Sequence, residues 1–154
     1  MQKRIKILLN SASEHYQEGD FQKALACYDE IIKIDPQHIE ALIEKGILII
    51  ELGDIHGAIS IYDRVLEIDP KSFHGFVNKA IALQLLEEYE EALQYYDRAL
   101  EINQNSAQAM NNKAIILHIL GKKKDSKVAF RKAFQIDPLY CLGRVRIVET
   151  EDTL

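Results

Sequence analysis

The residues of this chain whose types could do chemistry are five histidines, two cysteines and one dense run of carboxylates. A zinc site on a helix needs two imidazoles at i and i+4, or a thiolate nearby. His15, His38, His56, His74 and His118 have neither. Cys27 and Cys141 are too far apart in sequence to suggest a disulfide framework or a ligand pair, and they read as inert thiols in a reducing compartment. Glu87, Glu88, Glu90 and Glu91 flank Tyr89. Paired carboxylates can serve as acid and base. Here nothing would separate their pKa values, and the run reads as the solvated start of a helix. The chain has no glycine-rich phosphate loop, no nucleophile motif and no dinucleotide fingerprint. No enzyme, no metal and no cofactor is expected.

What remains is binding, and the elements that would position it follow from composition and periodicity. The chain has 154 residues, the size of one domain, and 47% of them are hydrophobic, enough to build a core. Three prolines and seven glycines are too few for a turn-rich β protein. A formal charge of −5 argues against a generally basic nucleic-acid binder. The apolar stretch Ile7-Leu8-Leu9 behind Lys3, Arg4 and Lys6 is too short for a signal segment or a membrane span, so a cytoplasmic location is expected.

The chain repeats. Ile34-Asp35-Pro36, Ile68-Asp69-Pro70 and Ile136-Asp137-Pro138 stand 34 and then 68 residues apart, and Ile102-Asn103-Gln104 fills the gap without its proline. The same step orders two ladders of small residues, Ala24, Ala58, Ala92, Ser126 and Ala12, Gly46, Ala80, Ala114. It also orders an aromatic ladder, Tyr28, Tyr62, Tyr96, Phe130. A ladder of large residues, Phe21, Ile55 and Tyr89, ends on Lys123. Within each unit the apolar residues fall at helical spacing in two runs. A turn at Gly19-Asp20, Gly53-Asp54, Glu87-Glu88 or Gly121-Lys122 separates them. Two antiparallel helices approach closely only where side chains are short, and a large residue from the partner then fills the opposite hole. One such hairpin cannot bury its own face, so neighbouring units must stack.

These ladders and terminal prolines resemble the tetratricopeptide repeat family over about residues 5–140. The resemblance implies an all-α, right-handed superhelical solenoid. It would have four helix-turn-helix units, about 5–38, 39–72, 73–106 and 107–140, in a single domain spanning 1–154. A capping helix is expected over about 141–150, with the last residues fraying. The sequence departs from the family at Ser11, Lys45, Lys79 and Lys113, where a leucine is usual, and at Lys123 and Ser126 in the fourth unit.

The resemblance also implies that the first helices of successive units line a concave groove for a peptide. Three ladders fall there: Asn10, Glu44, Asn78, Asn112; Ser13, Ile47, Ile81, Ile115; and Leu9, Ile43, Val77, Asn111. The isoleucines would take a peptide's side chains and the asparagines its backbone, having both a donor and an acceptor. The competing reading places the same residues inside the hairpins. Some chaperone-binding relatives hold a carboxylate between cations at these positions. Here no cation is present and Glu44 would repel an anion, so that use is not expected.

Charge is uneven. Residues 5–112 carry 8 Lys/Arg against 19 Asp/Glu, and residues 113–146 carry 9 against 2. The basic end includes Lys122, Lys123, Lys124, Lys127, Arg131, Lys132, Arg144 and Arg146. It reads as a solvated surface, as a contact for an acidic partner, or as one end of a head-to-tail homo-oligomer. RNA binding is the weakest of the readings, because no stacking aromatics are interleaved with the cations. The expected function is a non-catalytic adaptor, with a self-assembling scaffold as the alternative.

Overall fold

The computed structural model describes residues 1–142, which are helical with no strand among them. The helices are α1 (Gln2–Gln17), α2 (Phe21–Ile34), α3 (Ile39–Glu51), α4 (Ile55–Ile68), α5 (Phe73–Leu85), α6 (Tyr89–Ile102), α7 (Ala107–Ile119), α8 (Lys123–Ile136) and α9 (Pro138–Leu142). They pair as hairpins α1/α2, α3/α4, α5/α6 and α7/α8, and each hairpin packs on the next to form a helical solenoid. Among the described residues no helix is long and apolar enough to cross a membrane.

Both kinds of turn are set by local chemistry. Inside the hairpins the chain reverses through left-handed backbone at Gly19, Gly53 and Gly121, with φ of 78°, 91° and 73°. Glycine adopts this region without a Cβ penalty. The third hairpin makes the same turn with Glu87 at φ 61°. Between hairpins, the Asp35 and Asp69 carboxylates accept from the backbone N–H two residues on, at 3.1 and 3.0 Å. Asn103 makes the same bond at 3.1 Å, so the turn survives without the proline missing from Ile102-Asn103-Gln104. The following helices are N-capped by His38 Nδ1, Ser72 and Ser106, each accepting at 3.2 Å. His38 is thus a capping group.

The core lies between the helices of each hairpin and between neighbouring hairpins. Ala12, Ala24, Ala58, Ala80, Ala92 and Ala114 are fully buried, and Tyr62 and Tyr96 fill the holes they leave. At Gly46 there is no room for a side chain: a Cβ there would lie 2.5 Å from the Tyr62 ring. Ser126, on the same ladder as the alanines, satisfies its hydroxyl by donating to the Ala114 carbonyl at 2.9 Å. The fourth unit differs from expectation at its end. Pro138 begins a helix where a cap starting near residue 141 was expected, because the first helical position needs no N–H and Asp137 caps it from Tyr140 at 3.0 Å. The rest of the expected capping helix lies outside the described residues.

Candidate functional site

The lysines that replace the usual leucine form an ion-pair ladder between units. Lys45 meets Asp29 at 2.6 Å, Lys79 meets Asp63 at 2.5 Å and Lys113 meets Asp97 at 2.5 Å. In each pair the aspartate comes from the second helix of one unit and the lysine from the first helix of the next. Lys79 is the most enclosed, with 9% of its side chain exposed. It also donates to the Tyr95 hydroxyl at 2.7 Å and lies 4.4 Å from that ring's centre. Burial pulls its pKa down, but the bonds to Asp63 and Tyr95 outweigh burial and the net shift is upward.

The ladder stops at both ends of the stack. Ser11 and Arg131 hold the positions where the next lysine and the next aspartate would stand. Ile7 is 56% exposed, whereas its counterparts Ala41, Gly75 and Ala109 are small and buried beneath a preceding unit. Glu14 stands exposed where Leu48, Ala82 and Ile116 are buried. Lys127 replaces Leu25, Ile59 and Leu93, which pack against neighbouring units.

Along the first helices the three expected ladders sink progressively. Asn10 and Glu44 are exposed, Asn78 is half-buried and Asn112 is buried. The Asn112 amide donates to the Tyr96 hydroxyl at 3.2 Å, and that hydroxyl donates to Gln84 Oε1 at 3.1 Å. Ile43, Ile47, Ile81 and Ile115 are half-buried. Val77 belongs to the core of the third hairpin and Asn111 is fully buried. Val77, Asn111 and Asn112 lie in the interior, enclosed by the neighbouring helices.

Asn10, Glu44 and Ile47 come together in a cleft of about 520 Å³ between α1 and α3. Lys6, Leu9, Ser13 and Tyr16 complete its α1 side, Glu40 adds a second carboxylate and Tyr28 comes from α2. Tyr16 donates to Glu51 at 2.6 Å. The Glu44 carboxyl reaches solvent, yet the walls desolvate it enough to raise its pKa. Glu40 adds to the rise and His74 opposes it.

A larger recess, of about 730 Å³, was not read from the sequence. Phe76 and Tyr95 line it with Glu90, Glu91, Gln94, Arg98 and Pro70. The signal available was the acidic run that includes Glu90 and Glu91, taken as a solvated helix start. Among the described residues no group of His, Cys, Asp or Glu could hold a metal ion. Lys122, Lys123, Lys124, Lys127, Arg131 and Lys132 are all exposed, and among the described residues none of them has an ion-pair partner. Arg144 and Arg146 lie outside the described residues.

Three family models described as tetratricopeptide repeat match residues 13–72, 75–106 and 95–127. No curated protein matches the chain by sequence. Among solved structures, one of MamA protein superposes with a TM-score of 0.78 at 23% identity, covering 95% of this chain and 78% of that one. MamA 41-end from Desulfovibrio magneticus RS-1 also gives 0.78 at 23%, covering 88% and 76%. The first TPR of Spaghetti (RPAP3), bound to the HSP90 peptide SRMEEVD, gives 0.73 at 20%, covering 79% and 96%. At these identities the likeness is one of fold.

Proposed function

The chain belongs to the tetratricopeptide repeat family, and from that premise we propose that it is a non-catalytic cytoplasmic adaptor holding a segment of another protein along the concave side of its first helices. The observation that carries this reading is the incomplete burial of Ile43, Ile47, Ile81 and Ile115, which share one side of the stack with Asn10, Glu44 and Asn78. These isoleucines would supply affinity by burying apolar surface, and Asn78 would fix the partner's backbone. The structure of RPAP3 with a bound peptide supports such a use of this fold. Val77, Asn111 and Asn112 support the groove from beneath.

End-to-end stacking of copies in the register of the repeats has less support. Ile7 is bulky where a preceding unit would need a small residue, Glu14 is charged where it would need an apolar one, and Lys127 and Arg131 break the opposite face.

The reading is tested by immobilising the chain beside Ile47→Glu and Ile81→Glu variants of unchanged helicity and passing source-cell lysate over each. A protein retained by the parent and lost from both variants supports the groove. Equal retention on all three removes it.

A further inference from the structure

The cleft between α1 and α3 is lined by a tyrosine hydroxyl that no protein group among the described residues satisfies. Tyr28 is 6% exposed and lines the cleft, and among the described residues its hydroxyl has no hydrogen-bond partner. The third unit shows where such a hydroxyl points, since Tyr96 reaches Gln84 and Asn112. The corresponding positions for Tyr28 are Tyr16 and Glu44, and both line the cleft.

The cleft also carries more carboxylates than cations, with Glu40 and Glu44 against Lys6. Glu44 interrupts a ladder that is otherwise asparagine, and Glu40 stands one helical turn before it. Among the described residues neither carboxylate has an ion-pair partner, although Lys6 lies at the rim. Leu9 and Ile47 give the same cleft apolar wall.

We infer that this cleft is a subsite for a lysine side chain carried by the bound protein segment, an inference that rests on the groove reading above. An ammonium has three donors and no acceptor. Glu44, Glu40 and the Tyr28 oxygen offer three acceptors around one space. The four-carbon stem of the lysine lies along Leu9 and Ile47. A carboxylate entering here would meet two others, so the preference is opposite to that of an anion-holding groove.

Three capped hexapeptides test this by titration into the ¹⁵N-labelled chain. One has a central lysine among alanines, and the others have norleucine or glutamate in its place. The lysine peptide is expected to shift the amides of Tyr28, Glu40 and Glu44 saturably. The norleucine peptide, Glu44→Gln, or added salt should weaken binding about tenfold. The glutamate peptide should leave those amides unmoved. Absence of shifts at these amides, or equal binding of the lysine and norleucine peptides, overturns the inference. The two readings fail separately. A lysate partner lost on Ile81→Glu but kept, with the lysine peptide, by Glu44→Gln removes the lysine subsite and leaves the groove. Saturable lysine binding at the cleft, with the partner kept by Ile81→Glu, supports the cation site and removes the groove.

Discussion

The side-chain amide of Asn112 donates to the hydroxyl of Tyr96 at 3.2 Å, joining the first helix of the fourth unit to the second helix of the third. The hydroxyl passes its own proton toward Gln84 at 3.1 Å. One unit earlier the equivalent positions are Asn78, Tyr62 and Ile50, and there the buried Tyr62 hydroxyl has no hydrogen-bond partner among the described residues. Two tyrosines of one ladder therefore carry opposite energies. Tyr96→Phe should destabilise the chain by about 1–2 kcal/mol, because it strips a partner from the buried Asn112 amide and from the half-buried Gln84. Tyr62→Phe should be neutral or stabilising by up to about 1 kcal/mol, because it removes an unsatisfied group. Urea unfolding of both variants measures the difference, and equal losses would contradict it.

The inter-unit ion pairs should not be equivalent. Lys79 has 9% of its side chain exposed, against 27% for Lys45 and Lys113. All three aspartates are about half exposed, so solvent screens each pair. Lys79→Ala should cost about 2 kcal/mol, mostly lost packing of the stem and the stranded Tyr95 hydroxyl. Lys45→Ala and Lys113→Ala should each cost under about 1 kcal/mol. Lys79→Leu should recover much of the loss, since a leucine refills the space of the enclosed lysine stem. Three equal alanine costs would show that burial does not govern the ladder.

Much of this was legible in the residues. The period, the small-residue ladders and the tyrosines that fill their holes could be read because each rung repeats the same packing problem. Lys45, Lys79 and Lys113 stood out only as departures. Their partners Asp29, Asp63 and Asp97 lie on the neighbouring unit, and periodicity within a unit carries no information about pairing between units. Asn111 and Val77 were assigned to the groove with Ile43 because they share its phase. Phase fixes the direction a side chain points, while burial depends on how tightly the neighbouring helices pack around it. The cleft beside Tyr28 needed both Glu44 and a hydroxyl from the preceding hairpin, a juxtaposition visible only once the helices are stacked.

The turn at Glu87 offers a stabilising substitution. Its φ of 61° lies in the left-handed region where the other three hairpins use glycine. A side chain there costs about 1–2 kcal/mol, and the greater freedom of glycine in the unfolded chain offsets part of that. Glu87→Gly should therefore stabilise by about 0.5–1 kcal/mol, while Gly53→Glu should destabilise. Thermal melts of the two variants check the sign. A lower melting temperature for Glu87→Gly would mean that the glutamate side chain makes a compensating contact.

Stability should fall at alkaline pH through the buried tyrosines. Desolvation raises the Tyr28 hydroxyl from 10.0 to about 12, with Glu44, Cys27, Glu40 and Tyr16 adding to it, and raises Tyr62 further through burial and Glu44. In the unfolded chain both would ionise near pH 10. Between that value and the folded pKa the unfolded state binds fewer protons, so the slope of unfolding free energy against pH is negative. The contribution is whole below pH 10 and is lost as pH rises toward 12. Urea midpoints measured from pH 8 to 11 should be flat and then decline, and Tyr28→Phe combined with Tyr62→Phe should make that decline shallower. An unchanged decline in the double variant would assign the alkaline loss to other groups.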